Sequence, residues 1–210
     1  MKGLIIKDLL ALKRSIKKLG LFCAFFILFG VMTNNPSYIG FMLIMFGSMM
    51  VFTTMANDEK VNWDKYAFTL PVTRKEIVSA KYAVWFILIV VTFLISLIAG
   101  GILEFLLGQN LIEFTLTMAA TLGVYIYAFS ILIPIVYKVG VEKARLVMFL
   151  IFMIPVGLIF AAIKLWHILG LKMINISELQ KYIVVIPVVL VIMCFISYAS
   201  SVAIVKKKEI

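Results

Sequence analysis

Six apolar runs, at about 19–32, 38–56, 82–103, 111–137, 146–163 and 183–205, dominate this 210-residue chain, and none carries a charged residue near its middle. Crossing the ~30 Å hydrocarbon layer of a bilayer takes about 20 consecutive apolar residues in a helix. With 64% of its residues hydrophobic and 14% charged, the chain has far more large apolar side chains than a soluble domain of this size can hide. The expected fold is therefore an all-α integral membrane protein, a single transmembrane domain of six helices over residues 1–210. Soluble, disordered, collagen-like and DNA-binding classes are excluded with the same observation. The first run is short and follows a basic stretch, as a signal peptide does. No small-x-small cleavage site follows it, so it is expected to be a true span extended by polar flanks.

The formal charge of +10 reports topology. Lysine and arginine resist translocation, whereas acidic residues matter little. Seventeen of the twenty basic residues fall on one side, in the arm 1–18, the connection 57–81, the connection after the fourth run and the tail. The other side receives only Lys164, Lys172 and Lys181. Both termini are expected to be cytoplasmic. The outer connections 33–37 and 104–110 are short enough to force tight antiparallel pairs. The segment 164–182 mixes apolar, aromatic and cationic residues, as an interfacial or re-entrant stretch does, and holds the lone His167. One histidine without acidic neighbours reads as an interface residue before it reads as a metal ligand or proton relay.

The absence of a charge at mid-membrane argues against an ion-coupled transporter, which needs an ionisable group or broken helix to hold its driving ion. Pro134, Pro155 and Pro187 read as packed kinks. There is no catalytic set of acid pair, histidine cluster or activated nucleophile, no metal site, and no Gly-x-x-x-x-Gly-Lys phosphate loop. Cys23 and Cys194 lie inside apolar runs and read as small packing residues. Any energy used must come from a partner. Met42, Met45 and Met49 recur at i, i+3 and i+7 on one face of the second run. Such flexible thioethers suit a path for varied apolar cargo, and they equally suit ordinary packing or lipid contact.

Two polar regions say more. Over residues 1–18, Ile5, Leu9, Leu12, Ile16 and Leu19 share one helical face while Lys7, Arg14 and Lys18 share the other. This predicts a basic amphipathic helix along the inner leaflet before the chain turns into the first span. Over 57–81 the sequence predicts two short helices. Asn57 is placed to cap a segment that begins with Asp58-Glu59 and continues through Trp63 and Tyr66, and Leu70-Pro71 breaks it. Thr73 with Glu76 then forms a capping box, flanked by Val72 and Ile77 as a hydrophobic staple, and this helix runs into the third span. The exposed Trp63 and Tyr66 read as a docking knob for a cytoplasmic partner, with anchoring in the lipid interface as the rival reading.

At this loop the sequence resembles a family. Asp58-Glu59-Lys60, Asn62 through Tyr66, Thr69-Leu70-Pro71-Val72-Thr73-Arg74-Lys75-Glu76-Ile77-Val78 and Ala80-Lys81-Tyr82 resemble the signature of small bacterial permeases of type-2 ATP-binding-cassette exporters, and residues 1–9 resemble their opening. The subgroup most similar is that of phenol-soluble modulin and antimicrobial-peptide exporters. The resemblance implies two permeases, each docking a soluble ATPase that holds ATP and Mg, in a bacterial plasma membrane. It assigns ATPase coupling to Asp58, Glu59, Trp63, Tyr66, Leu70, Pro71 and Arg74, and makes the N-terminal helix a connecting element. The chain itself is expected to have no cofactor, no enzymatic activity and no nucleic-acid partner.

The leading expectation is thus an export permease, homodimeric or paired, that moves amphipathic peptides among membrane lipids. Glu104 and Glu113 near the outer connections are placed to help release a cationic peptide, though solvated loop ends are the plainer reading. The rival is a non-transporting immunity or sensor protein that binds a toxin or signalling partner.

Overall fold

A computed structural model describes residues 1–67, 69–108, 110–168 and 185–207, all of it helix and short turns. The helices are α1 (Lys2–Met32), α2 (Ser37–Lys60), α3 (Trp63–Ala67), α4 (Arg74–Leu107), α5 (Leu111–Val139), α6 (Val141–Ile168) and α7 (Val185–Lys207). Among the described residues, α2, α4, α5 and α7 are long and apolar enough to cross a membrane, and Gly20–Met32 of α1 is a shorter apolar stretch. Residues 164–168 of the expected interfacial segment continue helix α6, and 169–182 lie outside the described residues, as does the side chain of His167.

Two expected boundaries are corrected. The arm and the first span are one helix of 31 residues, with no turn between them. Nothing in the chain breaks it: there is no proline before Pro36, and Gly20 alone costs a helix about 1 kcal/mol. Likewise α2 does not stop at Ala56. Asn57, Asp58 and Glu59 form its last turn instead of capping a new helix, and the amide of Val61 still donates to the carbonyl of Asn57 at 3.3 Å. The helix ends where Asn62 takes a left-handed φ of 51°, a conformation asparagine tolerates better than most residues. Of the first expected short helix only α3 remains.

The Thr73 signal is observed as read. Thr73 caps α4 in a full capping box: its Oγ1 accepts from the Glu76 amide at 3.3 Å, and the Thr73 amide donates to Glu76 Oε2 at 2.8 Å. Ile77 behind it is buried, and α4 runs unbroken to a left-handed Gly108. At the start of α5, Asn110 Oδ1 accepts from the Ile112 amide at 3.0 Å. Pro134 sits inside α5.

The chain divides into two compact units. The first comprises Met1–Tyr125 with Val202–Ile210. Here α2 packs mainly on α4, and α1 leans on both. Its core holds Ile39, Leu43, Ile44, Val51, Val84 and Ile89, with Met118 and Tyr125 from α5. Small residues bring the backbones together: a Cβ at Gly40 would enter the Met118 thioether, one at Gly47 would enter Thr92, and one at Gly100 would enter the Phe114 ring. The second unit is Ile126–Ser201. Its buried residues include Phe129, Leu132, Ile133, Val136, Val141 and Ala144, and Ser130 Oγ lies 3.3 Å from Cys194 Sγ. A single left-handed residue, Gly140 (φ 86°), turns α5 into α6. Large apolar side chains such as Phe105, Leu106, Phe149, Phe195 and Ile196 stay exposed, a surface suited to lipid and costly in water.

Candidate functional site

The polar architecture of the first unit converges where α1, the end of α2 and the start of α4 meet. On α1, Asp8 falls between Ile5, Leu9 and Leu12 on the helix's apolar stripe, so packing that stripe takes a carboxylate inside; Asp8 is 2% exposed. Lys81 of α4, 6% exposed, answers it. Lys81 Nζ lies 2.7 Å from Asp8 Oδ2 and 2.7 Å from Asp58 Oδ2, and donates to Thr54 Oγ1 at 3.3 Å. Lys7 closes the figure, with Nζ 2.8 Å from Asp58 Oδ1 and 3.1 Å from Asp8 Oδ1. The result is a four-membered ring in which each cation touches both carboxylates. Its formal charge is zero, and that balance makes burial tolerable, since an unpaired buried charge costs several kcal/mol.

The ring extends to the surface through aromatics. Lys7 Nζ stands 4.2 Å over the Trp63 ring, and Trp63 stacks on Tyr66 at 6.2 Å and 20°. Ala67 of α3 is fully buried and anchors the short helix, while Tyr66 remains 69% exposed. Val61 is 71% exposed and Leu70 37%, with Pro71 and Glu59 also on the surface. Val61, Tyr66, Leu70 and Pro71 thus give the connection between α2 and α4 an exposed apolar tip, with the charged Glu59 at its edge. Such an arrangement offers contact area to another protein on a rigid support.

The residues assigned to coupling thus fall into two groups. Glu59, Tyr66, Leu70 and Pro71 reach the surface and Trp63 lies half-buried beneath Tyr66. Asp58 points into the ring. Arg74 turns to the end of α7, where Nη1 donates to the carbonyl of Val205 at 3.3 Å and to that of Lys206. A guanidinium there satisfies terminal carbonyls and complements the negative end of the helix. Lys7, expected on the basic face of α1 opposite its apolar stripe, is instead drawn into the ring, because the complementary charge of Asp58 lies within reach. Met42, Met45 and Met49 are half-buried along α2.

Asp8 and Lys81 were not singled out as site residues by sequence. One signal existed: an acidic residue interrupting the apolar stripe at i+3 from Ile5 and i−4 from Leu12. Among the described residues no cluster of His, Cys, Asp and Glu is arranged to hold a metal ion.

Comparison with protein families identifies the class. The profile of the ABC-2 family transporter proteins matches residues 3–206, and the chain belongs to that family. It is the membrane-embedded permease component of an ATP-binding-cassette transporter, and its membership implies an ATPase partner. No curated protein and no solved structure matches the chain significantly.

Proposed function

We propose that the chain is one half of a dimeric exporter in a bacterial plasma membrane, with six spans and cytoplasmic termini, that docks a separate ATPase at the tip Val61, Tyr66, Leu70 and Pro71 and moves amphipathic peptides outward. The observation that carries this reading is the tip itself: exposed apolar side chains on a polar connection, braced through Trp63 to a buried ion ring. Lipid-facing residues have no need of such bracing. An ATPase that must push or pull on the spans does.

The cargo follows from charge. No apolar run has a charge at its middle, so a path between two such subunits would leave a charged small solute uncompensated, at several kcal/mol per ion. An amphipathic peptide keeps its charges toward headgroups and its apolar face against the spans.

The experiment is reconstitution of the purified permease with its ATPase in proteoliposomes. Cationic amphipathic helices should raise ATP hydrolysis, and sugars and inorganic ions should leave it flat. Stimulation by solutes and none by any peptide would remove peptide export. Failure of the ATPase to co-purify would favour an immunity or sensor role.

A further inference from the structure

The ring has a property that an ordinary interhelical salt bridge lacks. Its two halves are each complete. Lys7 and Asp8 of α1 contact one another at 3.1 Å, and Asp58 of α2 contacts Lys81 of α4 at 2.7 Å. Across the joint, Lys7 meets Asp58 at 2.8 Å and Asp8 meets Lys81 at 2.7 Å. If α1 lifts from the α2–α4 pair, each dyad still neutralises itself. The separated state therefore escapes the penalty of an unpaired buried charge that makes the breaking of most buried pairs prohibitive. At the same time the docked register is sharply defined. Residues 7 and 8 lie about 100° apart around the helix and about 1.5 Å apart along it. A slip of α1 by one residue sets like charge against like.

We propose that Lys7, Asp8, Asp58 and Lys81 are positioning residues that form a releasable register lock, through which displacement of the α3 tip is passed to α1. The connection is continuous: Tyr66 stacks on Trp63, Trp63 holds the Lys7 ammonium, and Lys7 is tied to Asp58 at the end of the helix that leads to the tip. Beyond the ring, α1 continues without a break to Met32, so movement at Lys7 is carried along one rigid rod into its apolar end. The inference rests on the reading of the tip as the ATPase contact.

The test exchanges charges within one dyad. K7D/D8K keeps the net charge and the internal pairing of α1, but places like charges opposite each other across the joint. Adding D58K/K81D restores complementarity. The readout for docking is Leu12, which is 2% exposed on α1. A Leu12→Cys substitution, in full-length chain whose Cys23 and Cys194 are replaced by serine, is labelled with a membrane-permeant maleimide in native membranes. K7D/D8K should raise the labelling rate at least about tenfold, because like-charge contacts at an interface are strongly unfavourable. The fourfold variant should return it to the parental rate. The readout for transmission is ATP hydrolysis by the co-purified complex. K7D/D8K should retain the ATPase, whose contact surface is untouched, while permease-dependent hydrolysis falls about tenfold, and the fourfold variant should restore it in part, because its ion pairs re-form while position 7 no longer offers Trp63 a cation.

Unchanged labelling in K7D/D8K, or no rescue by the fourfold variant, overturns the lock. Increased labelling with normal hydrolysis, or hydrolysis falling only in step with lost ATPase, overturns its transmitting role. If the parental chain retains no ATPase, the proposed function fails, whereas the labelling rates still decide the lock.

Discussion

Lys81 Nζ stands 2.7 Å from Asp8 Oδ2 with both side chains buried, joining the start of α4 to the first turns of α1. Neither charge has water to fall back on. Lys81→Met leaves two carboxylates with one cation, and removal of one partner from a buried pair costs about 3–5 kcal/mol. Asp8→Asn with Lys81→Met removes both and leaves Lys7 and Asp58 paired at 2.8 Å. The double variant should therefore be more stable than Lys81→Met alone. Thermal unfolding in detergent of the two single variants and the double variant measures this as a coupling energy, and additivity would show that the pair is energetically independent.

The tip yields a separate expectation. Tyr66→Ala with Leu70→Ala removes two exposed contacts and touches no member of the ring. Each such contact carries about 1 kcal/mol or more at an interface, so ATPase affinity should fall by at least about tenfold while the melting temperature stays within error. Trp63→Ala behaves differently, because Trp63 also meets the Lys7 ammonium. It should weaken docking and lower the melting temperature together. Equal melting temperatures for the two variants would remove Trp63 from the bracing chain.

How far the sequence reached depends on the range of each interaction. The Thr73 and Glu76 capping box, the break at Leu70-Pro71 and the long apolar helices were legible because each is decided within a few residues. The end of α2 is harder to read because Asn57-Asp58-Glu59 is polar, and a polar stretch after an apolar run resembles the end of a helix. Polarity marks the end of the apolar environment, whereas a helix ends where its backbone turns, here at Asn62. The turn expected near residue 18 failed for the same reason. The ring as a whole was not legible because its two halves lie far apart in sequence: Asp8 interrupts the apolar stripe of α1, but nothing names Lys81 as its partner until α1 and α4 are set side by side.

Glycine substitutions test the close approach of α2 to α4. A Cβ at Gly47 would enter the Thr92 side chain, which is itself buried and hydrogen-bonded to the Leu88 carbonyl at 2.9 Å. Gly47→Ala should cost about 1–3 kcal/mol through overpacking. Gly101, on the same long helix as Thr92, has nothing within 4 Å of an added Cβ. Gly101→Ala should be neutral or slightly stabilising, since alanine is the better helix former. Thermal melts of the two variants side by side give the comparison. Equal effects would mean that α2 and α4 are not in tight contact at Gly47.

The proposed topology rests on the division of basic residues, seventeen against three, and three exposed asparagines test it. Asn35 lies in the turn between α1 and α2, Asn110 precedes α5, and Asn57 lies in the last turn of α2. In a background with Cys23 and Cys194 replaced, a cysteine substituted at Asn35 or Asn110 should react with an impermeant maleimide added to intact cells, and one at Asn57 should react only after the membrane is opened. Asn35 Oδ1 accepts from the Ser37 amide at 3.2 Å in the turn before α2, and Asn110 Oδ1 from the Ile112 amide at 3.0 Å as the cap of α5, so each replacement also removes a local hydrogen bond, worth about 1 kcal/mol. That loss loosens a helix end and leaves the side of the membrane unchanged, because orientation follows the lysines and arginines. Labelling of Asn57→Cys in intact cells would invert the scheme. It would place the ion ring and the exposed tip outside, beyond the reach of any ATPase.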